Sequence, residues 1–126
     1  MLIGIDPILS PDLLRTLRAM GHGDEILIAD ANFPAESCAK HILRADGIGA
    51  PRILKAILSV MPLDTYGDTP ANVMQIVGNP DETPPVVELF QSTINKLADT
   101  PVVLGSIERF RFYKKKKTAF AIIQTG

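Results

Sequence analysis

Cysteine occurs once in this 126-residue chain, at Cys38, so no disulfide can close within it. Neither sign of charge is in excess: 13 Lys plus Arg stand against 14 Asp plus Glu, a net charge of −1. That balance creates no long-range field to attract nucleic acid or anionic lipid, and neither is expected as a partner. No apolar run approaches the roughly 18 residues of a membrane span, and the first residues lack a secretory signal pattern. The cytoplasm is the expected compartment. The phosphate loop of nucleotide hydrolases, the GxGxxG dinucleotide turn, the GxSxG nucleophile elbow and the HExxH zinc helix are all missing. His22 and His41 are the only histidines and neither adjoins a cysteine pair, so no metal site is expected. No repeat or low-complexity segment stands out.

What is present is ordinary in composition and informative in order. Hydrophobic residues make up 46% and charged residues 21%, enough apolar surface for one globular core, and the length suits a single domain spanning 1–126. Ser10, Pro11 and Asp12 combine an N-cap, an N1 proline and a first-turn acid. They start a helix whose stripe of Leu13, Leu14, Leu17 and Met20 ends at Gly21. Glu25–Ala29 reads as a strand covered on both faces, Asp30–Pro34 as a loop, His41–Leu43 as a brief extended stretch and Arg44–Gly47 as a turn. A helix from Pro51 turns Ile53, Leu54, Ile57, Leu58 and Met61 inward before Pro62, and residues 63–68 connect it to a strand at Val73–Val77. Pro84 and Pro85 open another helix with Leu89, Phe90, Ile94 and Leu97 inward; Val102–Leu104 and Ala119–Ile123 are β runs, and Glu108–Lys116 is helical. Strands alternating with helices predict an α/β fold with a mainly parallel sheet flanked by helices, because parallel neighbours need crossovers.

His22 lies between two glycines, after the first helix and before the first strand, and Asp30 ends that strand. An imidazole and a carboxylate at the two mouths of a tight turn and strand occupy the usual place for site residues in an α/β protein, and flanking glycines let a ligand approach the ring. A second reading fits the same pattern: Gly21 as a left-handed C′ residue and His22 as a cap on the last helical carbonyls. Cys38 reads as a small apolar residue rather than a nucleophile, the usual place of a lone cysteine. Lys114–Lys117 read as a solvated helix C-terminus rather than a phosphate site.

Ser10–Leu14, the Met20–Glu25 run MGHGDE, and Asp30, Ala31, Phe33 and Pro34 resemble the RbsD/FucU-like family of sugar mutarotases. The resemblance continues through Arg44–Gly47 (RADG), Leu63–Tyr66 (LDTY) and Arg109, Phe110, Phe112 and Tyr113. It covers nearly the whole chain, and the RFRFY run is similar to the fucose branch rather than the ribose branch. The resemblance implies a cofactor-independent isomerase that interconverts the α and β anomers of a free monosaccharide, with L-fucose first among the candidates, and that assembles as a ring-based homo-oligomer, commonly a decamer. It also implies that His22 is the catalytic acid/base and that Asp30, Arg109, Asp64 and Tyr66 bind the sugar. Family members usually continue past the TG at 125–126 with a short tail bearing a Tyr and an Asn, so the expectation is a domain lacking that tail.

The implied chemistry suits these residues. Mutarotation removes a proton from the anomeric hydroxyl and delivers one to the ring oxygen. An imidazole, with an unperturbed pKa of about 6.5, has both protonation states available near neutrality. Asp30 can accept from sugar hydroxyls and Arg109 can donate to them. Residue types alone leave open an ion pair of Arg109 with Glu108 or Asp99, and core packing of Tyr66 and Tyr113. A non-catalytic sugar-binding or regulatory protein, or a purely structural ring protein, would also carry these residues.

Overall fold

The computed structural model describes residues 1–67 and 69–126; Asp68, the end of the expected 63–68 connection, lies outside the described residues. Ser10 Oγ accepts from the Leu13 N–H at 3.1 Å and starts α1 (Pro11–Ala19). There follow β1 (Ile26–Ala29), α2 (Ala35–Cys38), β2 (Ile42–Ala45), α3 (Ala50–Leu58), β3 (Asn72–Met74), α4 (Pro85–Leu97), β4 (Gly105–Ile107), α5 (Arg109–Thr118) and β5 (Ala121–Thr125). The one-turn helix α2 has no counterpart in the sequence reading.

The last strand fills the middle of the first sheet, in the order β1-β5-β2, with both pairings parallel. Every residue of β5 is buried, and the two-residue alternation of a strand sends its side chains to opposite faces. Ala121 and Ile123 join Leu13, Leu43, Ile53 and Ile57 on one side, while Ile122 packs with Ala29 and Ala35 on the other. An isoleucine so enclosed contributes about 1.5–3 kcal/mol relative to exposure. The β3–β4 pair is a separate parallel sheet. Gly105 opposes Asn72 there, and a Cβ at 105 would run into the Asn72 side chain and Thr69. This half is held to the rest by a smaller cluster of Leu58, Ile94 and Val102.

Several boundaries depart from the sequence reading for identifiable reasons. Met20 is extended, so α1 stops one residue early, and the left-handed residue of the following bend is Gly23 (φ +83°) rather than Gly21. Arg44 and Ala45, expected in a turn, complete β2 because they pair with Gln124 and Thr125; the turn comes at Gly47, with φ +78°. α3 ends at Leu58 instead of running to Met61, as the Ser59 hydroxyl bonds back to the Ala56 carbonyl at 2.6 Å and loosens the last turn. Val102–Leu104 is not a strand. The Gln91 side chain donates to the Val102 carbonyl at 2.9 Å and accepts from the Leu104 N–H at 2.8 Å, taking groups that a ladder would use, so β4 begins at Gly105. β3 is shorter than Val73–Val77, and Val77 is exposed before Gly78 (φ +80°). On α4 only Ile94 is fully buried; Leu89 and Leu97, expected inward, are exposed. The final strand is two residues later than Ala119–Ile123 because the Ala119 N–H still closes α5 on the Lys115 carbonyl.

Candidate active site

Two bends follow from this architecture, one at each end of β1. In the first, the Gly21 N–H donates to Asp24 Oδ2 at 2.9 Å and Gly23 takes the left-handed turn, which sets His22 at the tip. Asp64, from the segment after α3, fastens the bend: its Oδ2 accepts from the Gly23 N–H at 3.0 Å and lies 3.3 Å from His22 Nδ1. Its Oδ1 accepts from the Tyr66 N–H at 3.0 Å. The Tyr66 and Gly23 N–H groups, with a smaller contribution from His22, hold the Asp64 carboxyl below the usual carboxylate range. An ionised carboxylate only accepts hydrogen bonds, so the neutral imidazole carries its proton on Nδ1 and presents Nε2 as the free acceptor. The His22 side chain is 80% exposed, and the Tyr66 ring stands edge-on to it with centroids 4.9 Å apart.

In the second bend Asp30 Oδ1 accepts from the Asn32 and Phe33 N–H groups at 2.8 and 3.1 Å. Its other oxygen accepts no hydrogen bond among the described residues, leaving it for a ligand hydroxyl. Both bends line one open cleft of about 1230 Å³ that also takes in Met20, Met61 and Leu63. That is above the roughly 300–1,000 Å³ usual for a small-molecule pocket.

The structure thus brings His22, Asp30, Asp64 and Tyr66 to one cleft. Asp64 touches His22 directly, a pairing that no local sequence pattern announces. Arg109 is not among the cleft-lining residues; its guanidinium lies over the Phe110 ring, 4.6 Å from the centroid. Among the described residues it makes no ion pair with Glu108 or Asp99, because Glu108 is spent as the N-cap of α5, accepting from Phe110 and Arg111. Core packing does not hold for Tyr66, which is exposed. Tyr113 is half-buried against Phe33, ring centroids 6.1 Å apart.

The lysine run and Cys38 need correction together. Lys115 pairs with Glu25 at 3.2 Å, and Lys116 reaches Cys38 Sγ at 3.2 Å while lying over the Tyr113 ring, so the run is only partly a solvated cap. Cys38 does have a basic neighbour, 78 residues away in sequence, and that ammonium, helped by the Ser37 hydroxyl, lowers the thiol pKa. Lys115 and Lys116 also line the cleft, which the sequence reading missed. No group of three or more potential metal ligands occurs among the described residues, and no helix is long and apolar enough to cross a membrane.

A histidine oriented by a carboxylate at the mouth of a cleft in a parallel α/β domain is an arrangement suited to proton transfer on a small polar molecule. Residues 3–126 match the RbsD / FucU transport protein family, and the chain belongs to that family. It is 46% identical to the fucose mutarotase of Homo sapiens over 98% of this chain and 83% of that protein. The crystal structure of the fucose mutarotase from Streptococcus pneumoniae in complex with L-fucose matches with a TM-score of 0.90 and 41% identity, covering 99% of this chain and 89% of that one. RbsD of Bacillus subtilis complexed with D-ribose is 18% identical with a TM-score of 0.64, covering 94% of this chain and 83% of that one, a likeness of fold alone.

Proposed function

We propose that this chain is an L-fucose mutarotase, interconverting the α and β anomers of the free sugar by general acid/base ring opening and closure. The observation that carries the reading is the His22–Asp64 contact at 3.3 Å, which leaves the far ring nitrogen free beside a cleft. His22 Nε2 takes the proton of the anomeric hydroxyl as the ring C–O bond breaks, and the imidazolium so formed hands that proton to the former ring oxygen, leaving the open-chain aldehyde and a neutral imidazole. Rotation about the bond next to the carbonyl and the reverse transfers close the ring on the other face. Ring opening, rotation and reclosure leave the oxidation state of the anomeric carbon unchanged, so no redox cofactor is called for. Asp64 holds the imidazole in the reactive tautomer, and Tyr66 supplies an aromatic wall against the C–H face of the sugar.

Asp30 accepts from sugar hydroxyls with its open oxygen. Arg109 is assigned to the sugar on the family resemblance, its position in a single chain being over Phe110. We further propose one mutarotase domain over residues 1–126, acting in the cytoplasm as a ring-based homodecamer. The breadth of the cleft and the exposure of His22 and Tyr66 support assembly, since a second copy would narrow the site and exclude water from it.

Saturation-transfer NMR on a panel of free sugars tests the reading. Catalysis transfers magnetisation between the α and β anomeric protons of fucose faster than in buffer, and less so for ribose. Broadening of both signals without transfer would replace the enzyme with a sugar-binding protein, and no effect on any sugar would remove both.

A further inference from the structure

Gln124 is one of two polar residues in β5, next to Thr125 and after Ala121, Ile122 and Ile123, and it is 7% exposed. Burying a carboxamide costs free energy unless its donors and acceptor are matched, and here all are. In register it stands between Ala29 of β1 and Arg44 of β2. Its Nε2 donates to the carbonyls of Ala31 and Phe33 at 3.2 and 3.0 Å, while its Oε1 accepts from Arg44 Nη1 at 3.1 Å. Arg44 is itself fixed, two of its nitrogens gripping the Asp46 carboxylate at 3.0 and 2.9 Å and Nη1 reaching Glu36 at 3.3 Å. The chain of bonds has one direction. A guanidinium only donates, so the amide oxygen must face Arg44 and the amide nitrogen must face the two carbonyls.

Those carbonyls belong to the bend whose N–H groups, Asn32 and Phe33, are tied to Asp30 Oδ1. The bend is therefore clamped from both sides: its donors by Asp30, its acceptors by Gln124. We propose that Gln124 is a positioning residue for sugar binding, setting the Asp30 carboxylate at the cleft through the Ala31 and Phe33 carbonyls. This rests on Asp30 being a sugar ligand, as proposed above. Neither an aliphatic side chain nor a carboxylate can replace it: the first offers no donors, and the second turns an oxygen toward two carbonyl oxygens.

The test is a double-mutant cycle read by fucose titration, with hydrogen exchange of the Asn32 and Phe33 amides as a second measure. Gln124→Met raises the Kd for fucose about tenfold, as expected when a restraint on a ligand-positioning loop is lost, with a much smaller effect on the exchange rate at saturating sugar. Gln124→Glu, nearly isosteric, does the same and speeds exchange of both amides. In an Asp30→Asn background, adding Gln124→Met weakens binding by less than twofold further, because both changes remove one interaction. If the two losses multiply, or if the amides stay protected in both Gln124 variants, the positioning role is overturned. Should Gln124→Met fail to fold, Gln124→Glu and its amide exchange decide alone. If Asp30→Asn binds fucose normally, it is the sugar-ligand role of Asp30 that fails, and Gln124 is then a structural clamp only.

Discussion

The two bends flanking β1 each carry a carboxylate of their own, Asp24 in one and Asp30 in the other, and differ in what ties them to the rest of the fold. The Gly21–Asp24 bend is tied across 42 residues of sequence by one carboxylate, Asp64, and its working ring stands in solvent. The Asp30–Pro34 bend is tied to itself through Asp30 and to the most deeply buried strand through Gln124. A group that moves protons must reach two oxygens on one sugar, which demands orientation of the ring with space around it. A group that holds hydroxyls must keep its place while the sugar changes shape, which demands a rigid support. The difference in fastening matches the different roles proposed for His22 and Asp30.

Breaking the first bend at its tip has the largest expected effect. His22→Ala removes the proposed acid/base and should slow the proposed fucose anomer exchange by about 10²–10⁴-fold, the usual range for such a group, while circular dichroism stays that of the folded chain. Unchanged exchange would eliminate His22 from the chemistry. Asp64→Asn comes next, with a loss of roughly tenfold from misorientation of the imidazole. It also separates the bends by pH. The Asp64 carboxyl is held below its reference of 3.8 in the folded chain, so its stabilising contribution is complete above that value and is lost as pH falls through the lower folded pKa. The step in the Gly23 amide resonance that reports Asp64 should accordingly have its midpoint below pH 3.8. In Asp64→Asn the step should be gone.

How much of this was legible in sequence depended on whether the deciding contact was local. The Ser10–Pro11–Asp12 start of α1 and the alternation of helices with apolar runs needed only neighbours, and they led to the right fold class. The strand edges at Arg44 and Gly105 failed because side chains far away settle them: Gln124 recruits Arg44 into β2, and Gln91 keeps 102–104 out of β4. His22 and Asp30 were visible as residues at turns, and Asp64 and Tyr66 entered only by family resemblance. That Asp64 grips His22 and Gly23 is a tertiary fact. Gln124 carried no signal, since one glutamine among apolar residues marks a polar cluster only when its partners at 31, 33 and 44 are known.

The smallest effect concerns the outer wall of the second bend, where Phe33 meets Tyr113 and Lys116. Lys116 stands 3.2 Å from Cys38 Sγ, and its ammonium favours the thiolate, drawing the thiol pKa below 9.0. Thiolate is the nucleophile, so iodoacetamide should label Cys38 with a rate that climbs at lower pH than for a free cysteine. Lys116→Met removes the main cause but leaves the Ser37 hydroxyl, so the labelling profile should move upward in pH without becoming that of an unassisted thiol. The pair is solvent-accessible and screened, which keeps the displacement modest. Identical profiles in the two proteins would mean that Lys116 serves Tyr113 and Phe33 rather than the sulfur. The second bend would then have an aromatic and cationic outer wall in addition to its clamp on β5, sharpening the contrast with the His22 bend, which among the described residues Asp64 alone ties to a distant part of the chain.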